Sequence, residues 1–167
     1  MPEFFQTADI ARFVEMPEKR LTKFVESPGY GITPSIRAKA GKGSPRLYSR
    51  IDLLKIALTW WLFQAGFRSQ VIERVLDSPK IGKLLLESRN WKREDAKGHL
   101  LVVKREMAAY EPPRQLVFVT SPDEAAKGLR ETQCHAFQVL PIGHLLVGLW
   151  DRMRVSDEGK SGTLQAR

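Results

Sequence analysis

Five cations, Arg37, Lys39, Lys42, Arg46 and Arg50, lie between positions 27 and 50, and that stretch holds no acid. A second group, Lys19, Arg20, Thr22 and Lys23, stands just before it, and Tyr48 adds a phenol between the last two arginines. Long cationic and hydroxyl side chains at this density do the chemistry of anion recognition. The planar Arg fork pairs with guanine O6 and N7, whereas Lys acts as a point charge on phosphate. Other residue types offer less. Cys134 and His135 are adjacent, so on a strand they point to opposite faces, and no acid partner is evident for a nucleophile and its base. His99 and His144 lack metal-ligand spacing, and one cysteine builds neither an internal disulfide nor a Cys-rich zinc site. Asp123 and Glu124 read as charges at a helix start. Gly159-Lys160-Ser161 lacks the earlier glycine of a phosphate-cradling loop. The expectation is no catalytic role, no metal and no cofactor.

The elements that must position these cations are legible around them. Thr7 is placed to cap a short helix over 7–14, with Ile10, Phe13 and Val14 on one face. Pro17 suits the first turn of a second helix over 17–25, with Glu18 beside it and Leu21, Phe24 and Val25 as its apolar stripe. Lys19, Arg20, Thr22 and Lys23 fall on the other faces. Two short helices a few residues apart, the second cationic, form a helix-turn-helix pattern. Residues 32–36 and 46–48 read as the strands of a hairpin, with 40–45 as its tip. Ser49 and Asp52 resemble a capping box. The helix over 50–64 that follows is apolar nearly all round, so it is central to the fold or shared with a second subunit. Gly66 ends it, and a helix over 69–76 runs to Pro79.

Residues 80–97 are amphipathic and basic, a short helix and connector. Residues 100–103 and 116–119 are apolar runs of strand length. Ser121 and Pro122 start a helix, 135–140 alternates as a third strand, and 142–153 is an amphipathic helix. The predicted division is a domain over 1–78, a connector over 79–97, a small α/β domain over 98–155 and a disordered tail over 156–167. No repeat or low-complexity segment interrupts it.

Charge follows the same division. The chain of 167 residues carries a formal +8, with 43% apolar and 28% charged residues. Residues 1–78 and 79–106 each contribute a net +4, while 107–150 is −1. Such a balance favours an anionic partner over a neutral one. No apolar run approaches the roughly 20 residues of a membrane span. The first residues lack the basic start and apolar core of a secretory signal. The expectation is a cytoplasmic protein with no membrane contact.

Taken in order, the elements resemble the DNA-binding domain of the MerR family. The resemblance is carried by Gly31-Ile32-Thr33-Pro34-Ser35, Arg46-Leu47-Tyr48-Ser49, Asp52-Leu53-Leu54-Lys55-Ile56, Ala65-Gly66-Phe67, and Val71-Ile72 with Val75-Leu76. These follow the family pattern G-L-x-P-S, R-x-Y-S, D-L, L-G-F-S, I and L-L over residues 5–77. The resemblance implies a winged helix-turn-helix for this N-terminal domain; with the small α/β domain read from the later strand-length runs, the expected fold class is α+β. It implies that Lys19, Arg20, Thr22 and Lys23 enter a major groove. Arg37, Lys39, Lys42, Arg46 and Arg50 then track the backbone from a wing, with Tyr48 packed beneath it and its hydroxyl toward a phosphate.

The expected function is a sequence-specific double-stranded DNA-binding regulator of transcription, of bacterial or phage type. About five phosphate contacts per subunit would give a log–log salt slope of roughly −4 to −5. One such domain buries little surface, so a homodimer on a pseudo-palindrome is expected. Two apolar surfaces offer themselves, the Trp60-Trp61 helix and the 142–153 helix. The second is favoured, through Leu145, Leu146, Leu149, Trp150 and Met153. The same small domain serves excisionase-like and architectural accessory proteins, and a protein–protein adaptor that kept the fold is the alternative from another class. A small-molecule effector of the C-terminal domain is left open.

Overall fold

In the computed structural model, Ser49 and Asp52 close a reciprocal capping box. The Ser49 N–H donates to Asp52 Oδ2 at 2.8 Å, and the Asp52 N–H donates to Ser49 Oγ at 3.2 Å. Two orphan donors of the helix end are satisfied in this way. The helix they start, Arg50–Gln64, buries Leu53, Leu54, Ile56, Ala57, Leu58, Thr59, Trp60 and Leu62. Its apolar surface is used inside the chain because elements close around it. The Thr59 hydroxyl, buried among them, donates to the Lys55 carbonyl at 2.8 Å.

The structure describes residues 4–25, 30, 32, 36–37, 46–106, 114–131 and 136–164. They fall into two units, Met1–Leu76 with Leu149–Arg167, and Asp77–Gly148. Among the described residues the architecture is α+β, with eight α-helices and two three-stranded antiparallel sheets. In the first unit the order is β1 (Phe4–Gln6), α1 (Thr7–Phe13), α2 (Glu18–Val25), β2 (Ile36–Arg37), β3 (Arg46–Ser49), α3 (Arg50–Gln64) and α4 (Ser69–Leu76). The sheet order is β1-β3-β2, with Phe5 opposite Tyr48 and Arg37 opposite Arg46. α3 packs on α4, β1 and β3, and α1 packs on α2 and the same two strands.

Both short turns of this unit end their helices in the same way. After α3, the Phe67 N–H donates to Leu62 O at 3.1 Å and the Gly66 N–H to Phe63 O at 3.0 Å. After α1, the Met16 N–H donates to Ala11 O at 2.9 Å and the Glu15 N–H to Arg12 O at 3.4 Å. Both are Schellman closures, which need a left-handed residue at the turn. Gly66 supplies it at φ 84°, whereas at the first turn Glu15 takes it at φ 55°. A non-glycine there is strained. Its carboxylate meets Arg152, with Oε1 to Nη1 at 2.8 Å.

The second unit holds α5 (Pro79–Glu87), a 3-10 turn (Ser88–Asn90), α6 (Arg93–Ala96), β4 (Leu100–Glu106), β5 (Arg114–Thr120), α7 (Pro122–Glu131) and β6 (Ala136–Leu140). The sheet order is β5-β4-β6, and α7 packs on β4. Leu101 and Val102, on opposite faces of β4, are both buried. Ser121 starts α7: its Oγ accepts the Glu124 N–H at 3.3 Å. Glu124 Oε2 accepts the Thr120 hydroxyl at 2.8 Å and the Ser121 N–H at 3.4 Å. The Thr120 hydroxyl first, and then the Ser121 N–H, hold the Glu124 carboxyl below its ordinary value. Trp91 and His99 stack at 4.1 Å with planes 4° apart.

The last helix, α8 (Ile142–Leu164), begins in the second unit and ends in the first. Gly143 lies where any Cβ would overlap the Ala96 carbonyl. Its N–H donates to His99 O at 3.1 Å. Three domain expectations are thereby corrected. Residues 79–97 belong to the second unit, not to a connector. The chain from Leu149 onward rejoins the first unit. The stretch up to Leu164 is helical, because extending an anchored helix costs little per residue and no proline interrupts it. Among the described residues, no helix is long and apolar enough to cross a membrane.

Candidate nucleic-acid interface

The cations on α2 are placed by its apolar stripe. Leu21 and Val25 are buried and Phe24 is half-buried, so the opposite face carries Lys19 and Lys23, one turn apart and exposed. The Pro17 carbonyl accepts the Arg20 and Leu21 N–H groups, both at 2.9 Å. Proline therefore stands at the cap, one position earlier than expected from sequence. The Thr22 hydroxyl donates to Glu18 O at 3.1 Å, which leaves its oxygen able to accept. Arg20 occupies the flank toward α3. Its guanidinium carbon lies 4.8 Å from the centroid of the Trp60 ring.

Beneath Arg20 lies an aromatic cluster of Phe24, Tyr30, Trp60 and Phe63. Phe24 meets Trp60 edge-on at 5.7 Å and Phe63 at 5.7 Å, and packs on Tyr30 at 4.7 Å. Trp60 and Phe63 stack at 5.8 Å. Trp60 is 6% exposed and Phe63 41%.

On the sheet, Arg46 is exposed and Arg50, the first residue of α3, is half-buried. Arg37 is placed by register, directly opposite Arg46. Lys39 and Lys42 lie outside the described residues. Tyr48 is a correction. It is 1% exposed, paired with Phe5 in the middle strand, and is a core residue whose hydroxyl is closed off from a phosphate.

The assigned dimer surface is corrected as well. Leu146, Leu149, Trp150 and Met153 are all buried within the single chain, and Leu145 is half-buried. The amphipathic pattern showed that this face must be covered; the chain covers it itself. On the other candidate surface Trp60 is buried and Trp61 half-buried.

Sequence reasoning missed Glu15 and Arg152, whose ion pair bridges 137 positions. It also missed β1, a three-residue strand held by pairing with β3. No local pattern announces either. Cys134 and His135 lie outside the described residues, and His144 is exposed. Among the described residues, no group of three metal-ligating side chains comes together. Comparison with known proteins finds no matching family model and no significantly similar curated protein.

Proposed function

We propose that the chain is a sequence-specific double-stranded DNA-binding protein that regulates transcription. Its N-terminal unit would act as a winged helix-turn-helix of the MerR kind. In this reading α2 enters the major groove, Lys19 and Lys23 face the duplex, and the β2–β3 hairpin is the wing. One observation carries the proposal. Arg37 and Arg46 stand opposite each other in the β2–β3 ladder, at the mouth of an acid-free stretch. A phosphate set against that register position would meet a cation from each strand. Two copies would occupy a pseudo-palindrome, because one domain of this size reads few base pairs.

The test is selection of bound duplexes from a random library at two salt concentrations, repeated with Arg37, Lys39 and Arg46 all changed to Glu. The wild type should enrich a repeated half-site and follow a log–log salt slope of roughly −4 to −5 per copy. The triple variant should lose binding. Unchanged retention by that variant, or no retention of any duplex by the wild type, overturns the reading and favours a fold kept for protein contacts. Several phased sites in place of one operator would point to an accessory role in recombination.

A further inference from the structure

We propose that Trp60 is a positioning residue that holds Arg20 as the guanine reader of α2. The inference rests on the DNA-binding reading above and adds a base identity to it.

Three cations project from α2, and they are not held alike. Lys19 and Lys23 are exposed lysines on the outward face. Arg20 alone has an aromatic platform, the Trp60 ring 4.8 Å from its guanidinium carbon. Among the described residues no carboxylate pairs with it. A cation over an aromatic face is attracted by the ring quadrupole, and that attraction spares the in-plane N–H groups of an arginine. Those N–H groups are the fork that matches guanine O6 and N7.

The platform itself is fixed. Trp60 is buried in α3, stacked on Phe63 at 5.8 Å and met edge-on by Phe24 at 5.7 Å, and Phe24 belongs to the same helix as Arg20. Helix, platform and guanidinium are thus tied into one arrangement. An arginine ordered before contact loses less rotamer freedom on binding than a lysine in water. The lysines then supply charge, and Arg20 supplies identity.

The experiment uses the full chain and the same random duplex library, read as base frequencies at each position of the enriched site. Arg20→Lys keeps the charge and removes the fork. Trp60→Leu removes the ring, and Trp60→Phe keeps a smaller one; each is checked for the wild-type circular dichroism spectrum and thermal transition. The expected result is one guanine per half-site in the wild type. Its preference should fall about tenfold in Arg20→Lys, with the salt slope unchanged. It should fall about fivefold in the folded Trp60 variant, more for Leu than for Phe where both fold. A merely structural Trp60 would weaken all duplexes equally and leave that column of the profile intact, which overturns the inference. So does a guanine preference that survives Arg20→Lys, or a wild type that binds duplexes without preference. A wild type that retains no duplex sinks the DNA-binding reading itself, and the two failures are therefore distinct.

Discussion

If the proposed reading holds, stability and DNA binding pull in opposite directions on Arg37, so one substitution tests both. The register sets Arg37 against Arg46, next to the pair of Ile36 with Leu47. Like charges directly opposed in an antiparallel pair cost roughly 0.2–1 kcal/mol, and threonine prefers strands more than arginine does. Replacing Arg37 with Thr should therefore stabilise the free protein by about 0.5 kcal/mol, a rise in Tm of ~1–2 °C for a chain of this size. The gain should shrink in 1 M salt, where the Debye length is about 3 Å. In the complex the sign reverses. One charge-assisted contact is lost per copy, worth about 1.5 kcal/mol or slightly more than tenfold in affinity. The salt slope should become shallower by about 0.9 per copy. Calorimetric unfolding at low and high salt gives the first quantity, and anisotropy titrations across a salt series give the second. A variant that is less stable at low salt, or one that binds with an unchanged salt slope, refutes the reasoning.

The two Schellman turns make a matched pair. Glu15→Gly should raise stability by about 0.5 kcal/mol, because relief of the left-handed strain, roughly 1 kcal/mol, exceeds the exposed ion pair with Arg152 that is lost. Gly66→Ala should cost about 1 kcal/mol from conformation alone, since a Cβ there meets nothing within 4 Å; equilibrium urea unfolding measures both. Gly143→Ala should destabilise the second unit by about 3 kcal/mol through overpacking against the Ala96 backbone, seen as loss of the near-ultraviolet signal at lower denaturant. Because the folded state lowers the Glu124 pKa, its contribution is present above the ordinary carboxylate value of about 4.3 and is lost as pH falls through the lowered folded value. Acid unfolding should accordingly be steeper in the wild type than in Glu124→Gln, the two curves converging at the acid end.

Local chemistry made part of the fold legible in advance. Ser49 with Asp52, Pro122 after Ser121, and Gly66 each act through their own backbone, so the helix starts and the turn could be read from a few residues. What stayed hidden depends on partners far along the chain. Phe4–Gln6 is too short to declare itself, and it is a strand because β3 lies beside it. Glu15 marks no turn by its identity; only the closed hydrogen bonds of the α1–α2 turn place it in the left-handed region. The polar composition of 156–164 suggested disorder, yet the helix that precedes it is anchored by Leu149, Trp150 and Met153. At the candidate site, charge was legible and support was not. The run of cations was plain from sequence, whereas the contact of Arg20 with Trp60 required two helices to be folded together.

The burial of the expected dimer faces carries a consequence for assembly. A stable interface removes about 1,200–2,000 Å² from water. The large apolar side chains still exposed among the described residues are Phe63, Leu86, Val139 and Val155, one each on α3, α5, β6 and α8. Single exposed apolar residues are ordinary surface, and a stable interface needs far more apolar area than one such side chain on an element supplies. Two copies on a pseudo-palindrome would then meet mainly because the duplex brings them together. In sedimentation the chain should be monomeric at about 10 μM, a level at which micromolar pairing would already register, while a duplex with two half-sites should take up two copies. Moving the half-sites apart by about five base pairs turns the second copy to the opposite side of the helix, since a full turn is 10–10.5 base pairs. Cooperativity should vanish there and return at ten. A free chain that sediments as a dimer at that concentration, or cooperativity that ignores the helical phase, would mean that pairing is built into the protein through surfaces other than the two named here.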